Sequence, residues 1–391
     1  MNSKVFVNNR ERLFVLAACL LITFCMGTIH AFSTLIQNIE IQTGVGRMAS
    51  SLVYSTALLN VTLAVYVGHI LYRKFSPQVL IFFIAILPVI GLLISNSENW
   101  ISWIIGYGIF FGFSSGLGYG LSLYIVSLVT ENEKLGFALG LVTASYAFGA
   151  VIFSMLYPLL FDHFGFKNGY IFGLLILSSI VIIGLILFSI SRVRIGQESI
   201  TNQKKDLKET YIFKLWLGYF LGVFAGLMVI GHAVPMINSF GGSTSISITA
   251  ITLMTLGSGI AGIYAGWLVD RFGCKRPLLA ILMINTIAIL ALSIMTNINL
   301  LIILLVLIAS LYGAVIAIYP TLVSHIVGSN LSSAVYGRVF TAWGTAGLIS
   351  PSLAGWLFEK NNNYDASIIF TLSISIVAIL IIWTMKYSIK D

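Results

Sequence analysis

Long apolar runs separated by short polar clusters set the pattern of this chain. The runs cover about 12–36, 49–72, 77–95, 100–129, 135–160 and 168–191, then about 214–238, 246–269, 277–296, 298–327, 336–358 and 366–385. Each is near or above the roughly 20 residues an α-helix needs to cross the hydrocarbon core of a bilayer. A helix satisfies its backbone hydrogen bonds internally, whereas an open strand in lipid cannot. The pattern therefore predicts an all-α integral membrane protein with twelve transmembrane helices, arranged six plus six. The expected organisation is a six-helix bundle over 1–191, a cytoplasmic linker over 192–213 and a second six-helix bundle over 214–391. The first run follows Lys4, Arg10 and Arg12 but is too long for a signal-peptide core, so it is read as a retained helix.

Charge placement orients these helices. Lys4, Arg10, Arg12, Arg73, Lys74, Lys134, Arg192, Arg194, Lys204, Lys205, Lys208, Lys214, Arg271, Lys275, Arg276, Arg338, Lys386 and Lys390 fall on one side, against Arg47, Lys167 and Lys360 on the other. The split is 18 to 3 and accounts for all 21 Lys and Arg. Cations are retained on the cytoplasmic side of membrane proteins, so both termini are expected to be cytoplasmic and the net charge of +8 needs no nucleic-acid partner. With 58% hydrophobic residues and a mean hydropathy of +1.00, the composition is far from that of a soluble domain. Cys19 and Cys25 lie within the first run and Cys274 in a loop, with neither a disulfide framework nor a CxxC metal pattern.

The halves read as a diverged repeat at an offset of about 198–202 residues. His30-Ala31 matches His232-Ala233, Tyr119-Gly120 matches Tyr319-Pro320, Thr143-Ala144 matches Thr341-Ala342, and Gly68 matches Gly266. Such pairs at corresponding helix positions point to two parallel six-helix repeats. Gly108, Gly112, Gly116 and Gly120 recur every four residues along the fourth run, a spacing that clears one helix face for close packing. Gly112-Phe113-Ser114-Ser115-Gly116 also fits the GxSxG hydrolase pattern. It lies mid-helix rather than on a strand-to-helix turn, so it is not read as a nucleophile. Pro88, Pro158, Pro235, Pro320 and Pro351 fall inside runs and mark candidate bending points.

The densest polar cluster is Gly266-Trp267-Leu268-Val269-Asp270-Arg271-Phe272-Gly273-Cys274-Lys275-Arg276. It resembles the Gly-x-x-x-Asp-Arg-x-Gly loop signature of the major facilitator superfamily. Gly27 to Ser33, Gly46-Arg47, Ser51 to Ser55, Gly116 to Gly120, Gly136 to Gly140 and Tyr336 to Gly344 narrow the resemblance to the oxalate:formate antiporter and monocarboxylate transporter branch. The resemblance implies the major facilitator fold, two pseudo-symmetric six-helix bundles, and alternating access to a substrate bound between the halves. It also implies that Gly266, Asp270, Arg271 and Gly273 act in gating. Asp270 would then meet the start of the fifth helix around Lys134-Leu135-Gly136, with Arg271 orienting it.

One departure matters for chemistry. The branch places an Arg about eight residues before the loop Asp, where this chain has Gly262, and a Lys at or near Trp343. A buried anion without a cation is costly, so helix termini, histidines or hydroxyls would have to replace them. No Asp or Glu lies mid-run. His30 and His232, at matched depth, are the ionisable candidates, and histidine changes charge near physiological pH. Tyr119, Tyr146, Tyr319 and Trp343 join them as candidate substrate-binding residues, with Asn60, Tyr264 and Tyr312 as further polar positions. No GxxxxGK[ST] loop is present, so the driving force would be a gradient or an exchanged solute. The expected activity is secondary active transport of a small organic solute, with monocarboxylates or dicarboxylates as candidates, by proton symport or exchange. A transporter-like receptor or scaffold is the alternative. No enzyme activity, cofactor or metal is expected. The expected setting is a multi-pass protein in a prokaryotic inner membrane, monomeric, whose partners are lipids, the solute and protons.

Overall fold

A computed structural model describes residues 8–95, 99–193 and 209–385; most of the expected linker lies outside them. The chain is helical almost throughout. Helix α1 spans Asn9–Gly27, with Asn8 and Glu11 capping each other's backbone N–H groups at 2.8 and 2.9 Å, and continues as a 3-10 segment, Thr28–Thr34. A short helix, Ile36–Thr43, precedes α2 (Arg47–Lys74), α3 (Pro77–Ser95) and α4 (Trp100–Val129). Helices α5 (135–164) and α6 (166–190) are joined end to end at Gly165, whose φ of 75° breaks the helical path. The second series is α7 (Glu209–Ser239), α8 (Thr244–Phe272), α9 (Lys275–Ile294), α10 (Ile298–Val327), α11 (Ser329–Asn361) and α12 (Asp365–Thr384).

Ten helices, with α5 and α6 taken as one, are long and apolar enough to cross a membrane. Separating α5 from α6 and adding α11, whose polar first turns dilute its apolar run, brings the described helices of spanning length to twelve. Helix α11 starts at Ser329, earlier than the apolar run at 336 suggests, because Ser and Asn can occupy a first helical turn without apolar content.

Contacts group the chain into two compact units. The first comprises Met1–Thr130, Ser145–Lys204 and Gly328–Gly337. In it the four glycines of α4 lie against α2. A methyl group at Gly112 would sit 2.7 Å from the Ala57 carbonyl oxygen, and one at Gly116 would sit 2.2 Å from that of Val61. Gly108 meets Val53 and Thr56, so the four-residue spacing on α4 is met at Val53, Ala57 and Val61 on α2. Ser114 donates to the Ile84 carbonyl at 2.8 Å and is fully buried, which is a packing role. Helices α1 and α5 touch through backbone: methyl groups at Gly27 and Gly149 would each lie 1.7 Å from a carbonyl oxygen, of Tyr146 and Phe24 respectively.

The second unit comprises Glu131–Ala144, Lys205–Val327 and Arg338–Asp391. Here α8 and α10 play the part of α2 and α4, with Gly257 against Ser310 and Gly313 against Ser258. The assignment of Glu131–Ala144 to this unit has a local cause. Gly136 and Gly140 on α5 face Gly266 and Gly262 on α8, and a methyl at Gly136 would lie 2.4 Å from the Gly266 carbonyl oxygen. The start of α11 joins the first unit in the same manner, through Gly337 against Val65 and Tyr66.

Candidate functional site

The polar residues of the first unit gather where α1 changes winding. The tighter 3-10 turn redirects carbonyls that an α-helix would use internally, and α4 supplies donors to them. Ser115 Oγ donates to the Met26 carbonyl at 2.8 Å, and the Tyr107 hydroxyl donates to the Ile29 carbonyl at 2.8 Å. Tyr107 sits in a π-helical stretch of α4, Ile104–Phe111; π segments concentrate at functional sites. With its own proton on Met26, Ser115 accepts from the Tyr146 hydroxyl at 2.9 Å. The Tyr146 ring lies 5.2 Å from that of Tyr119 and 5.5 Å, edge to face, from the His30 imidazole. His30 Nδ1 is 2.6 Å from the Tyr54 hydroxyl, and Tyr54 stacks on Phe32. His30, Tyr119 and Tyr146 thus form one cluster with Tyr54 and Ser115.

The second unit holds its candidates differently. His232 Nε2 is 2.8 Å from the Pro351 carbonyl, which only accepts, so Nε2 carries the proton. In the neutral ring Nδ1 then accepts from Tyr364, 3.0 Å away. Tyr364 lies between α11 and α12, where burial pushes its hydroxyl up and keeps it a donor. Trp343 donates through its indole N–H to the Tyr312 hydroxyl at 2.7 Å and stacks on Phe340. Tyr319 is fully buried and stacked on Tyr219 at 4.1 Å, so it offers no surface to a ligand in this arrangement. Asn60 donates within its own helix to Thr56, and Tyr264 is 60% exposed and stacked on Trp267.

The loop cluster takes a defined form. Asp270 is half-buried, and its two carboxylate oxygens accept the backbone N–H groups of Gly136 and Phe137 at 2.6 and 2.7 Å. A helix N-terminus offers unsatisfied N–H groups and a partial positive charge, so a carboxylate is well placed there. Gly266 permits the approach: a methyl there would lie 2.2 Å from the Gly136 carbonyl oxygen. Gly273 ends α8 at φ 74° and ψ 170°, which strongly favours glycine. Arg271 differs from expectation. Its guanidinium lies over the Trp267 and Phe272 rings at 5.5 and 5.7 Å, and it makes no ion pair with Asp270 among the described residues. Adjacent helical residues do not share a face, which separates the two side chains.

A sequence profile of the Major Facilitator Superfamily matches residues 16–233 and 215–389. The chain belongs to that superfamily. It is 23% identical over 279 residues to the oxalate:formate antiporter of Oxalobacter formigenes, covering 68% of this chain and 66% of the relative. To monocarboxylate transporter 12 of Xenopus laevis it is 30% identical over 145 residues, 36% of this chain and 31% of the relative. The matches therefore span just under two thirds and about a third of those relatives' own lengths. Among solved structures, FucP in the outward conformation, an E. coli fucose:proton symporter, superposes with a TM-score of 0.75 at 15% identity, over 97% of this chain and 100% of that one. The chain thus has the fold of that superfamily, whose solved neighbour here is a transporter.

Within that superfamily fold, the sequence points to His30, Tyr119 and Tyr146 but not to Tyr54 or Ser115 as their partners. Tyr54 lies 24 residues from His30 on α2 and Ser115 lies 31 residues before Tyr146. Neither spacing leaves a sequence signal, because the pairings arise only when separate helices pack.

Proposed function

We propose that this chain is a secondary active transporter for a small organic solute, with carboxylates as the leading class, working by alternating access through proton symport or solute exchange. The observation that carries the reading is the change from α to 3-10 winding at the end of α1, where His30 sits among Tyr54, Tyr119 and Tyr146. Interrupted helices are where membrane transporters bind solutes. The named relatives suggest the class: an oxalate:formate antiporter and a monocarboxylate transporter. His30, Tyr119, Tyr146 and Trp343 are the proposed substrate-side residues, and Gly266, Asp270 and Gly273 the gating set. The charge bias supports cytoplasmic termini, and a prokaryotic inner membrane is the proposed setting.

Reconstitution tests this directly. Proteoliposomes loaded with oxalate or with buffer are given labelled formate, with and without an inwardly directed proton gradient. Uptake stimulated by internal oxalate indicates exchange, and uptake stimulated by the gradient indicates symport. If neither condition exceeds empty liposomes for formate, oxalate or lactate, the carboxylate reading is wrong. Failure of a wider solute panel would return the chain to a receptor or scaffold role.

A further inference from the structure

His30 and His232 occupy matched sequence positions, yet the structure gives them different chemistry. Both ring nitrogens of His232 are engaged, by Tyr364 and by the Pro351 carbonyl. The ring joins α7, α11 and the α11–α12 connection, and Gly231 packs on the Pro351 ring beside it. His30 is engaged at Nδ1 alone. Its Nε2 has no hydrogen-bond partner among the described residues and is not among the enclosed polar atoms, and the residue is half-buried.

Nδ1 lies 2.6 Å from the Tyr54 hydroxyl; in the tautomer where Tyr54 donates and Nδ1 accepts, the proton lies on Nε2. The protons of Tyr107 and Ser115 are already directed at α1 carbonyls, and that of Tyr146 at Ser115. The imidazole N–H thus remains to be answered by something outside the unit's own backbone.

We propose that His30 and Tyr54 form a ligand-reading pair, in which Tyr54 holds the imidazole in the tautomer that presents an uncharged Nε2–H to a carboxylate oxygen of the solute. The Tyr146 ring, edge-on at 5.5 Å, bounds the same position. His232 takes no part in reading the ligand and instead clasps its own unit. Tyr54 is a positioning residue, and it was not among the candidates drawn from sequence. This assignment rests on the proposed transport of carboxylates.

Diethyl pyrocarbonate, which acylates accessible imidazole nitrogens, separates the two histidines when modification is followed site by site by mass spectrometry on the purified full chain. Exposed His163, whose Nδ1 lies 3.0 Å from the Leu159 carbonyl, is the internal standard. His30 should react at least about tenfold faster than His232, whose two nitrogens must each first lose a hydrogen bond. Tyr54→Phe should raise the His30 rate about three- to tenfold, because losing one hydrogen bond frees the other tautomer and its Nε2 lone pair. Saturating sodium formate should slow His30 at least about fivefold while leaving His163 unchanged. Equal rates at His30 and His232, an unaltered rate in Tyr54→Phe, or no protection by formate would each overturn the proposal. Protection by formate without formate uptake would keep the pair as a binding subsite and remove the transport reading. Uptake without protection would do the reverse.

Discussion

Replacing Asp270 by Asn removes a charge and one acceptor while keeping size. The carboxylate accepts two N–H groups, from Gly136 at 2.6 Å and Phe137 at 2.7 Å. An amide oxygen can keep one of these, and the amide NH2 then faces the other N–H, donor against donor. Hydrogen bonds to a charged group contribute about 1.5–3 kcal/mol each, against about 1 for a neutral one, and the helix-terminus attraction adds about 0.3–1 when exposed. The net loss is about 2 kcal/mol once solvent screening at this half-buried site is allowed for, or roughly thirtyfold in the ratio of closed to open forms of the contact. Hydrogen–deuterium exchange on the peptide containing Gly136 and Phe137 reads it locally. Asp270→Asn should speed exchange there by roughly thirtyfold, with peptides from α2 and α4 unchanged. If the contact forms in one of two alternating states, the population moves away from that state and uptake slows with little change in affinity. Wild-type exchange at Gly136 and Phe137 together with wild-type uptake would leave the loop as a positively charged turn with no gating role.

Other expectations are direct. Gly27→Ala should lower thermal stability by about 3 kcal/mol or prevent folding, since the methyl meets the Tyr146 carbonyl oxygen at 1.7 Å. Gly347→Ala, with nothing within 4 Å, should be neutral or stabilising by up to about 1 kcal/mol, and equal Tm values for the two variants would contradict the contact. Burial, with Asp270 adding to it, pushes the Cys274 thiol up to about 12. Its maleimide labelling at pH 7.5 should therefore run at least about a hundredfold below an exposed cysteine of pKa ~8.5 and climb with rising pH; equal rates would refute its burial. Since all three native cysteines are buried, Ser243→Cys and Asn362→Cys should label with an impermeant reagent in intact cells and Asn132→Cys should not, and the opposite pattern would invert the charge-derived orientation.

How far the fold could be read from sequence varied with the type of feature. Spanning helices follow from local apolar length, so α2, α3, α4 and α10 begin and end within a few residues of their apolar runs. The four-residue glycine spacing on α4 also found its partner, since it states a face. Asp270 was legible through its motif, but motif alone does not determine contact. Asp162-His163-Phe164-Gly165-Phe166-Lys167 repeats the pattern Asp-x-Phe-Gly-x-Lys of Asp270-Arg271-Phe272-Gly273-Cys274-Lys275. The two glycines even share a conformation, φ 75° and ψ 163° at Gly165 against φ 74° and ψ 170° at Gly273. Asp162 nonetheless remains exposed while Asp270 caps α5. Local sequence set the turn; the helix opposite it set the chemistry. His30 and His232, at matched sequence positions, take different partners for the same reason, because Tyr364 and Pro351 reach His232 from another part of the chain.

The two kinds of glycine contact also bear on which parts can move. On α4 the glycines press against α2 backbone, while α1 and α5 meet at Gly27 and Gly149, and hydroxyls from Ser115 and Tyr107 tie α1 to α4. Several elements thus fix the His30 cluster at once, as a site that must discriminate between ligands requires. The contact between α5 and α8 is built otherwise. Gly136 and Gly140 meet Gly262 and Gly266, residues with no side-chain surface to bury, and in a bilayer no hydrophobic force draws two helices together. Close approach there brings Asp270 to the α5 N-terminus, where it accepts two hydrogen bonds. A contact held by a few kcal/mol can form and break within a transport cycle; one held by interlocked large side chains would have to repack each time. Gly262 stands where the resemblance implies an Arg and faces Gly140, so in the reading proposed above the solute is met by His30 on α1.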